Sequence, residues 1–488
     1  MASFYIENFG CRATQADGAA LESQFLDRGL KRARTARDAQ IVVLNTCTVT
    51  ESADKDARAS IRRVQRENPG CRILVTGCYA QRAPEELAAL PGVQWVVGNS
   101  HKHLVAEIVT SGQPSTPGFV PLTQLSDRCR PAENQPSADV IVGDIFAHTE
   151  LMAAPVFDAA NERTRPNLKV QDGCDNRCSF CVIPSVRGQS RSLPLERVLT
   201  EVRSLVSAGY REVVISGINL GRWGRDLAGV GRTFLSDAFD SPPLPKSGST
   251  ATDKSVPSTR AGLRFENLVR AILDETSLEK LRISSVEPMD WTDELIELMA
   301  ASRRIAKHAH VPLQSASDAV LRRMHRKYRP WHYGEKISKI RKAMPGAAIG
   351  ADVMVGFPGE TEAEFVETQH VIEELPLTYL HVFTYSARPG TPAADHTNQV
   401  PVAIARERNH VLRELASTKK LAFMQAQVGK TLEAITLRSS DDNSTEALTD
   451  NYLKIKIPGR WEPNRWVEAR VERANGDVLD GRMTRIAA

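Results

Sequence analysis

Short apolar runs separated by amphipathic helical stretches dominate the chain. FYIENF leads into Gly10-Cys11 and a helical pattern from about Gln15 to Leu30. IVVLN leads into Thr46-Cys47 and a charged helical stretch from about Glu51 to Glu67. RILVTG leads into Cys78 and a helix opening near Pro84, and VQWVVG closes the set. β-branched runs alternating with helical patterns predict βαβ units and a parallel sheet. A second series obeys the same rule, with strands expected at LKVQDG, REVVISG, KLRISSV, HAHVPLQ, AAIGADVMVGF and LHVFTYS. Six strand–helix units predict a full or partial parallel barrel. Beyond Pro401 a helix-compatible stretch runs to about Ala426, with proline at its start and Gly429 at its stop. TLEAITLR, NYLKIKI, NRWVEARVERA and VLDGRMTRI then alternate as strands do, which predicts a small antiparallel β-barrel.

The expected class is therefore α/β, in several units. An N-terminal parallel-sheet unit occupies residues 1–125 and a linker 126–165. A central barrel occupies 166–400, a connecting helix 401–426 and the small barrel 427–488. Residues 225–260 interrupt the central series with SPPLPKSGSTATDKSVPST, whose Pro, Ser and Thr content predicts a disordered insertion.

Composition narrows the setting. A chain of 488 residues exceeds one ordinary core. The net charge of +4 is mildly basic and does not by itself demand a nucleic-acid partner. MASFYIENFG lacks the basic segment and apolar core of a signal peptide. No uncharged apolar run approaches the roughly 20 residues of a membrane span. A cytoplasmic protein without a membrane partner is expected, and there the eight cysteines read as metal ligands or reactive thiols.

The cysteines fall into a pattern. Ligands of parallel sheets gather at the carboxyl ends of strands. Cys11, Cys47 and Cys78 each follow a strand and are expected to converge there. Cys71 precedes its strand and Cys129 lies in a polar, Pro-containing segment, so both are excluded. Cys174, Cys178 and Cys181 crowd into GCDNRCSFC, and no Cys or His follows within twenty residues. Such spacing suits an iron–sulfur cluster. Either a distant side chain completes a closed zinc site, or one metal position is open.

CDNRCSFC resembles the signature of radical S-adenosylmethionine enzymes, including Phe180 before the last cysteine. FGCRATQ, NTCTVT and TGCYAQ resemble the three cysteine motifs of the methylthiotransferases within that superfamily. SGIN (216–219), RISSVEP (282–288), PLQS (312–315), DVMVGFPGE (352–360) and HVFTYSARPGTP (381–392) are further family-like pieces. The last unit resembles the TRAM module, an RNA-binding barrel. The resemblance covers most of the chain and lapses near 126–160 and 225–260.

The resemblance implies two four-iron clusters, one on Cys174, Cys178 and Cys181 and one on Cys11, Cys47 and Cys78. It implies S-adenosyl-L-methionine on the open iron of the first, with Phe180 near its adenine, and Gly217 as a cofactor-binding position. Thr48-Val49-Thr50 and Tyr79-Ala80-Gln81 resemble the branch that adds a methylthio group to C2 of threonylcarbamoyladenosine beside the tRNA anticodon. GCRATQAD departs from the commoner GCKVNQ form of that branch. The isopentenyladenosine branch is the alternative, followed by the ribosomal-protein branch. The implied chemistry is reductive cleavage of S-adenosyl-L-methionine to a 5′-deoxyadenosyl radical. Sulfur would come from the second cluster, and electrons from a flavodoxin or ferredoxin. From another class, a non-catalytic metal-stabilised RNA-binding protein would show closed metal sites instead.

Other residues carry weaker expectations. Glu287, Gln314 and Asp352 fall at or just beyond expected strand ends, where barrels place functional groups, and are candidate cofactor contacts. Arg187 and Arg191 either grip a carboxylate or phosphate in bidentate fashion or are solvated. Residues 303–342 carry twelve Lys or Arg against Asp318 and Glu335, with Tyr328, Trp331 and Tyr333 among them. That stretch either tracks a phosphate backbone with stacking faces or is a solvated basic helix pair. Tyr452, Trp461 and Trp466 of the last unit either stack on bases or pack.

Overall fold

The computed structural model describes residues 2–111, 138–148, 151, 164–227, 262–438 and 443–486. Cys129, most of the expected linker and the expected insertion from residue 228 onward lie outside them.

In the first unit the β-branched runs pair as one parallel sheet. Its strands are β1 (Ser3–Asn8), β2 (Lys31–Arg32), β3 (Ile41–Thr46), β4 (Arg72–Gly77), β5 (Val93–Gly98) and β6 (Asp139–Ile141). Their order is β2-β1-β3-β4-β5-β6. β3 is buried along its whole length, as a central strand covered on both faces must be. Val42 and Leu44 pack with Ala57 and Ile61 on one face, and Ile41 and Val43 pack with Leu21 and Phe25 on the other. The stretch read as linker therefore contributes an edge strand, β6, on β5.

The second series forms β7 (Asn167–Lys169), a two-stranded ribbon of β8 (Gln171–Asp172) and β9 (Arg191–Ser192), then β10 (Glu212–Ser216) and β11 (Lys280–Ile283). β12 (His308–His310), β13 (Ala348–Val355) and β14 (Tyr379–Thr384) complete it. β7, β10 and β11 pair in parallel, as do β12, β13 and β14. Parallel bridges Leu281–Ile305 and Ser285–His310 join the two halves into one curved sheet, a partial barrel. Alternation assigns its faces. Ala309, Ile349, Ala351, Val353, Val355 and Val382 enter the main core. His308, His310, Gly350, Asp352, Met354, Tyr379, His381 and Phe383 therefore line the concave side. Gly350 leaves room for the Tyr379 ring, since a Cβ there would lie 2.0 Å from its Cζ.

A helix over Val402–Gln425 leads to β15 (Thr431–Thr436), β16 (Ser444–Thr449), β17 (Lys454–Pro458), β18 (Trp466–Asn475) and β19 (Val478–Ile486). These close as a barrel in the order β15-β16-β17-β19-β18. One pair, β17 with β19, is parallel, so the barrel is not antiparallel throughout.

Charges seat this small barrel against the amino ends of β10 and β11. Arg282 bonds Glu212 at 2.7 Å, with both side chains buried, and donates to the carbonyls of Thr449 and Asp450 at 3.2 Å. Lys280 bonds Glu433 at 2.8 Å. Removing one partner of a buried pair leaves an uncompensated charge. Glu212→Ala is expected to cost about 3–5 kcal/mol, read as a lowered thermal unfolding midpoint. A change below about 0.5 kcal/mol, the size of an ordinary surface substitution, would show that Arg282 is not held by this pair.

Candidate functional site

The first thiol triplet forms where β1, β3 and β4 end. Gly10, at φ +90°, lets the turn after β1 close on its neighbour, because a Cβ there would lie 2.5 Å from the Cβ of Cys47. Cys78 opens the helix that follows β4. The Cys47 thiol is pushed up to about 12, by burial first and then by Cys78 and Cys11, which share its surroundings. Asn99 donates to the sulfur of Cys78 at 3.5 Å. Cys71 packs instead in the apolar core with Ile73 and Ala39.

The second triplet lies on the turn between β8 and the helix Ile183–Arg187. Gly173 is obligatory there, since at φ +72° its Cβ would sit 1.9 Å from the Gln189 carbonyl oxygen. N–H groups point at the sulfurs. The Asn176 backbone reaches Cys174 at 3.4 Å, Asn219 reaches Cys174 at 3.6 Å, and Arg326 reaches Cys178 at 3.3 Å. Burial pushes the Cys181 thiol up to about 12.

Both sets fit iron–sulfur clusters better than single ions. One tetrahedral zinc, with Zn–S bonds of about 2.3 Å, would draw its sulfurs to within about 4 Å of one another. Neither triplet gathers its sulfurs within 4.8 Å. N–H donors aimed at the sulfurs of Cys78, Cys174 and Cys178 suit thiolates whose charge a cluster shares. A cofactor fits beside the second triplet. There the buried Ser216 Oγ and Asn219 Oδ1 have no hydrogen-bond partner among the described residues.

The other sequence candidates separate. Phe180 stands edge-on to Phe357, with ring centroids 6.4 Å apart. Gly217 lies against Gln171, whose Oε1 accepts from the Asn219 backbone at 2.7 Å. Glu287 pairs with Arg326 and lines a small cavity with Asn176 and Cys178. Gln314 adopts the left-handed region at φ 64°, rare for a non-glycine residue. Asp352 is the fifth residue of β13 rather than at its end, because the strand continues to Val355. It faces His310, 3.3 Å away.

Arg187 is neither solvated nor free for a phosphate. It is buried against Asp172 at 3.0 Å and Asp17 at 3.1 Å. Arg191 donates to the carbonyls of His148 and Arg187. The basic stretch 303–342 is mostly spent internally. Arg304 caps carbonyls, Arg323 pairs with Glu364, and Arg326 serves the cysteine loop. Tyr328 and Tyr333 are buried, so of the three aromatic rings only Trp331 is exposed. Trp466 is buried too, whereas Trp461 is partly exposed.

Asn99, Asn219 and Arg326 are sulfur partners that sequence reasoning did not single out. Asn219 lies within SGIN and Arg326 within the basic run, but neither position signals its role without the fold.

One buried charge cluster joins the two sites. Asp17 receives Lys102 at 3.0 Å, Arg187 at 3.1 Å and also Lys169, and Asp172 receives Lys169 at 2.9 Å. Burial alone would raise the Asp17 carboxyl, but the three cations outweigh it and hold it well below the usual range. Arg388 makes a second tie, bonding Asp54 at 2.6 Å and the Thr48 carbonyl at 3.2 Å.

Comparisons agree with this geometry. Residues 168–372 match the Radical SAM superfamily, and residues 3–98 match the uncharacterized protein family UPF0004. A radical S-adenosylmethionine methyltransferase, TsrM, from Kitasatospora setae shares the fold, with a TM-score of 0.52 at 14% identity over 81% of this chain and 74% of that one. The partial barrel and its three-cysteine loop thus define a radical S-adenosylmethionine enzyme. The Threonylcarbamoyladenosine tRNA methylthiotransferase MtaB of Bacillus subtilis is 34% identical over 100% of this chain and 97% of its own length. A tRNA-2-methylthio-N(6)-dimethylallyladenosine synthase of Novosphingobium aromaticivorans is 32% identical over 99% and 97%. The chain belongs to the radical S-adenosylmethionine methylthiotransferases, which use S-adenosyl-L-methionine and four-iron clusters.

Two outcomes test the site. Cys71→Ala is expected to keep about eight irons per chain and Cys47→Ala to fall towards about four, counted after anaerobic reconstitution. Iron loss in Cys71→Ala would contradict the placement. The Asp17 carboxyl lies below its unfolded value, so its stabilisation is complete above about pH 4 and is lost as pH falls through the folded value. An acid titration followed by limited proteolysis should show the first unit loosening only below about pH 4. Asp17→Asn should loosen it already at neutral pH, by about 3 kcal/mol or more.

Proposed function

We propose that this chain transfers a methylthio group to C2 of threonylcarbamoyladenosine beside the anticodon of tRNA. The observation that carries the reading is the pair of three-cysteine sets tied together by the buried Asp17–Asp172 charge cluster. The full-length likeness to relatives named for this activity supports the substrate. Cys174, Cys178 and Cys181 hold the cluster that binds S-adenosyl-L-methionine, and Cys11, Cys47 and Cys78 hold the second. When bound, these groups supply hydrogen-atom abstraction, sulfur and a methyl group.

The chain's own residues orient and protect. Asn99, Asn219 and Arg326 direct N–H groups at thiolate sulfur. Ser216, Gly217, Glu287 and Gln314 would line the cofactor's site, and Phe180 would lie near its adenine. The first unit, fastened by Arg187 and Arg388, covers the concave face and keeps water from it. The exposed Phe383 and the partly buried Met354 give that face an apolar floor for a base. Among the described residues no helix is long and apolar enough to cross a membrane. A cytoplasmic enzyme reduced by a flavodoxin- or ferredoxin-like donor fits this reading.

Anaerobic reconstitution followed by reduction should give about eight irons and release of 5′-deoxyadenosine. One or two zinc ions without cofactor cleavage would contradict the enzyme reading. Nucleoside profiling of tRNA from a deletion strain should show loss of the methylthio form of threonylcarbamoyladenosine. Loss of methylthio-isopentenyladenosine alone would assign the chain to the other branch.

A further inference from the structure

We propose that the concave face carries a carboxylate-binding cup made of Arg12, His310, Asp352 and His381, and that it selects the threonyl tail of the modified base. This rests on the substrate reading above.

The cup is built by neighbouring strands. His310 ends β12, and Asp352 of β13 stands in register with His381 of β14. One donor atom from each of the three lies within 4.8 Å of the others. The His310 and His381 rings are 5.6 Å apart. His310 Nε2 is buried and 3.3 Å from Asp352 Oδ1, yet it makes no aligned hydrogen bond. Burial, His310 and Arg12 lower the His381 pKa against the pull of Asp352, so its imidazole is neutral at pH 7 and donates one N–H.

Arg12 enters from the first unit, one residue beyond Cys11. Asn167 holds its carbonyl at 3.0 Å, and its guanidinium meets the Tyr452 hydroxyl at 3.5 Å. No carboxylate among the described residues pairs with it. A half-buried guanidinium whose protein partner is one neutral hydroxyl favours an arriving anion.

The cup lies between the two thiol sites. Arg12 adjoins Cys11. On the other side, the Asp352 carbonyl accepts from the Gln314 backbone at 2.8 Å, and Tyr328 links Leu313 to Arg326, which touches Cys178. Of the four cup residues His381 lines a neighbouring cavity of ≈ 540 Å³, together with Tyr379 and with Tyr452, the partner of Arg12.

The chemistry of the tail matches. A threonylcarbamoyl group brings a carboxylate, a hydroxyl and a ureido N–H. The guanidinium fork and the imidazole donors take the carboxylate, and Asp352 accepts from the hydroxyl or the ureido N–H. An isopentenyl tail has no polar atom and would leave Arg12 without a counter-anion and His310 Nε2 without a hydrogen-bond partner. Sites built on buried hydrogen bonds reject such analogues strongly.

The test uses reconstituted full-length enzyme and an anticodon stem-loop RNA carrying threonylcarbamoyladenosine, or the same RNA with the tail as its methyl ester. Only variants with wild-type iron content are compared. Arg12→Gln is expected to lower kcat/KM on the acid about 10- to 100-fold, the range of a hydrogen-bonded charge, chiefly through KM, and to change the ester less than about 3-fold. If Arg12→Gln loses iron, His381→Phe carries the same comparison, with His381→Asn restoring most of the loss. Equal losses on acid and ester would overturn the proposal. So would one equivalent of tightly bound Mn²⁺ in the holoenzyme that disappears in Asp352→Asn, because the three donors would then be metal ligands. Wild-type enzyme that ignores the threonylcarbamoyl RNA but modifies an isopentenyl RNA would refute the substrate reading, and this inference with it. That result appears in the reference arm before any variant is made.

Discussion

Two carboxylates buried among three cations fix how far apart the thiol triplets stand. Asp17 belongs to the helix that starts just after Cys11, and Asp172 to the strand just before Cys174. Lys169 and Arg187 touch both. Burying five charges is expensive unless each is met, so the first unit has one low-energy seat and not a continuum of them. The cluster therefore acts mainly as a specifier of position. Three cations against two carboxylates also leave one positive charge in excess, and Arg187 shares an electrostatic environment with Cys78 and Cys11. That surplus favours anionic sulfur where the second cluster is proposed.

The concave face depends on this docking. A six-stranded parallel sheet is only part of a barrel, so its inner face has an open side. Arg388 and Arg187 fasten the first unit across that side. The small barrel braces the amino ends through Arg282 and Lys280. What remains open is a cup with sulfur chemistry at two edges and polar aromatic residues within.

The sequence was most legible where a period or a spacing was local. Alternation located all the strands that carry the site, and Cys71 fell away because it precedes β4 rather than following it. Charge was less legible, because composition does not say where a cation points. Arg304, Arg323 and Arg326 look like an RNA footprint in one dimension, but their partners lie on other elements. Arg187 is the same case, since Asp17 lies 170 positions away. His310 lay in an expected strand and His381 in a family-like motif, but both gained meaning only when three strands aligned. Asp352 opens the family-like DVMVGFPGE yet is interior to β13, which begins at Ala348 and continues to Val355.

The contact between Arg12 and Tyr452 joins positions 440 residues apart. Synthesis proceeds from the N-terminus at about 5–20 residues per second, so the two partners leave the ribosome tens of seconds apart. All six candidate cysteines precede Tyr452 by more than half the chain. The inner face therefore stays open from one side while both cysteine loops are already exposed. Metal delivery has a natural interval before the last barrel folds and the Tyr452 hydroxyl meets Arg12.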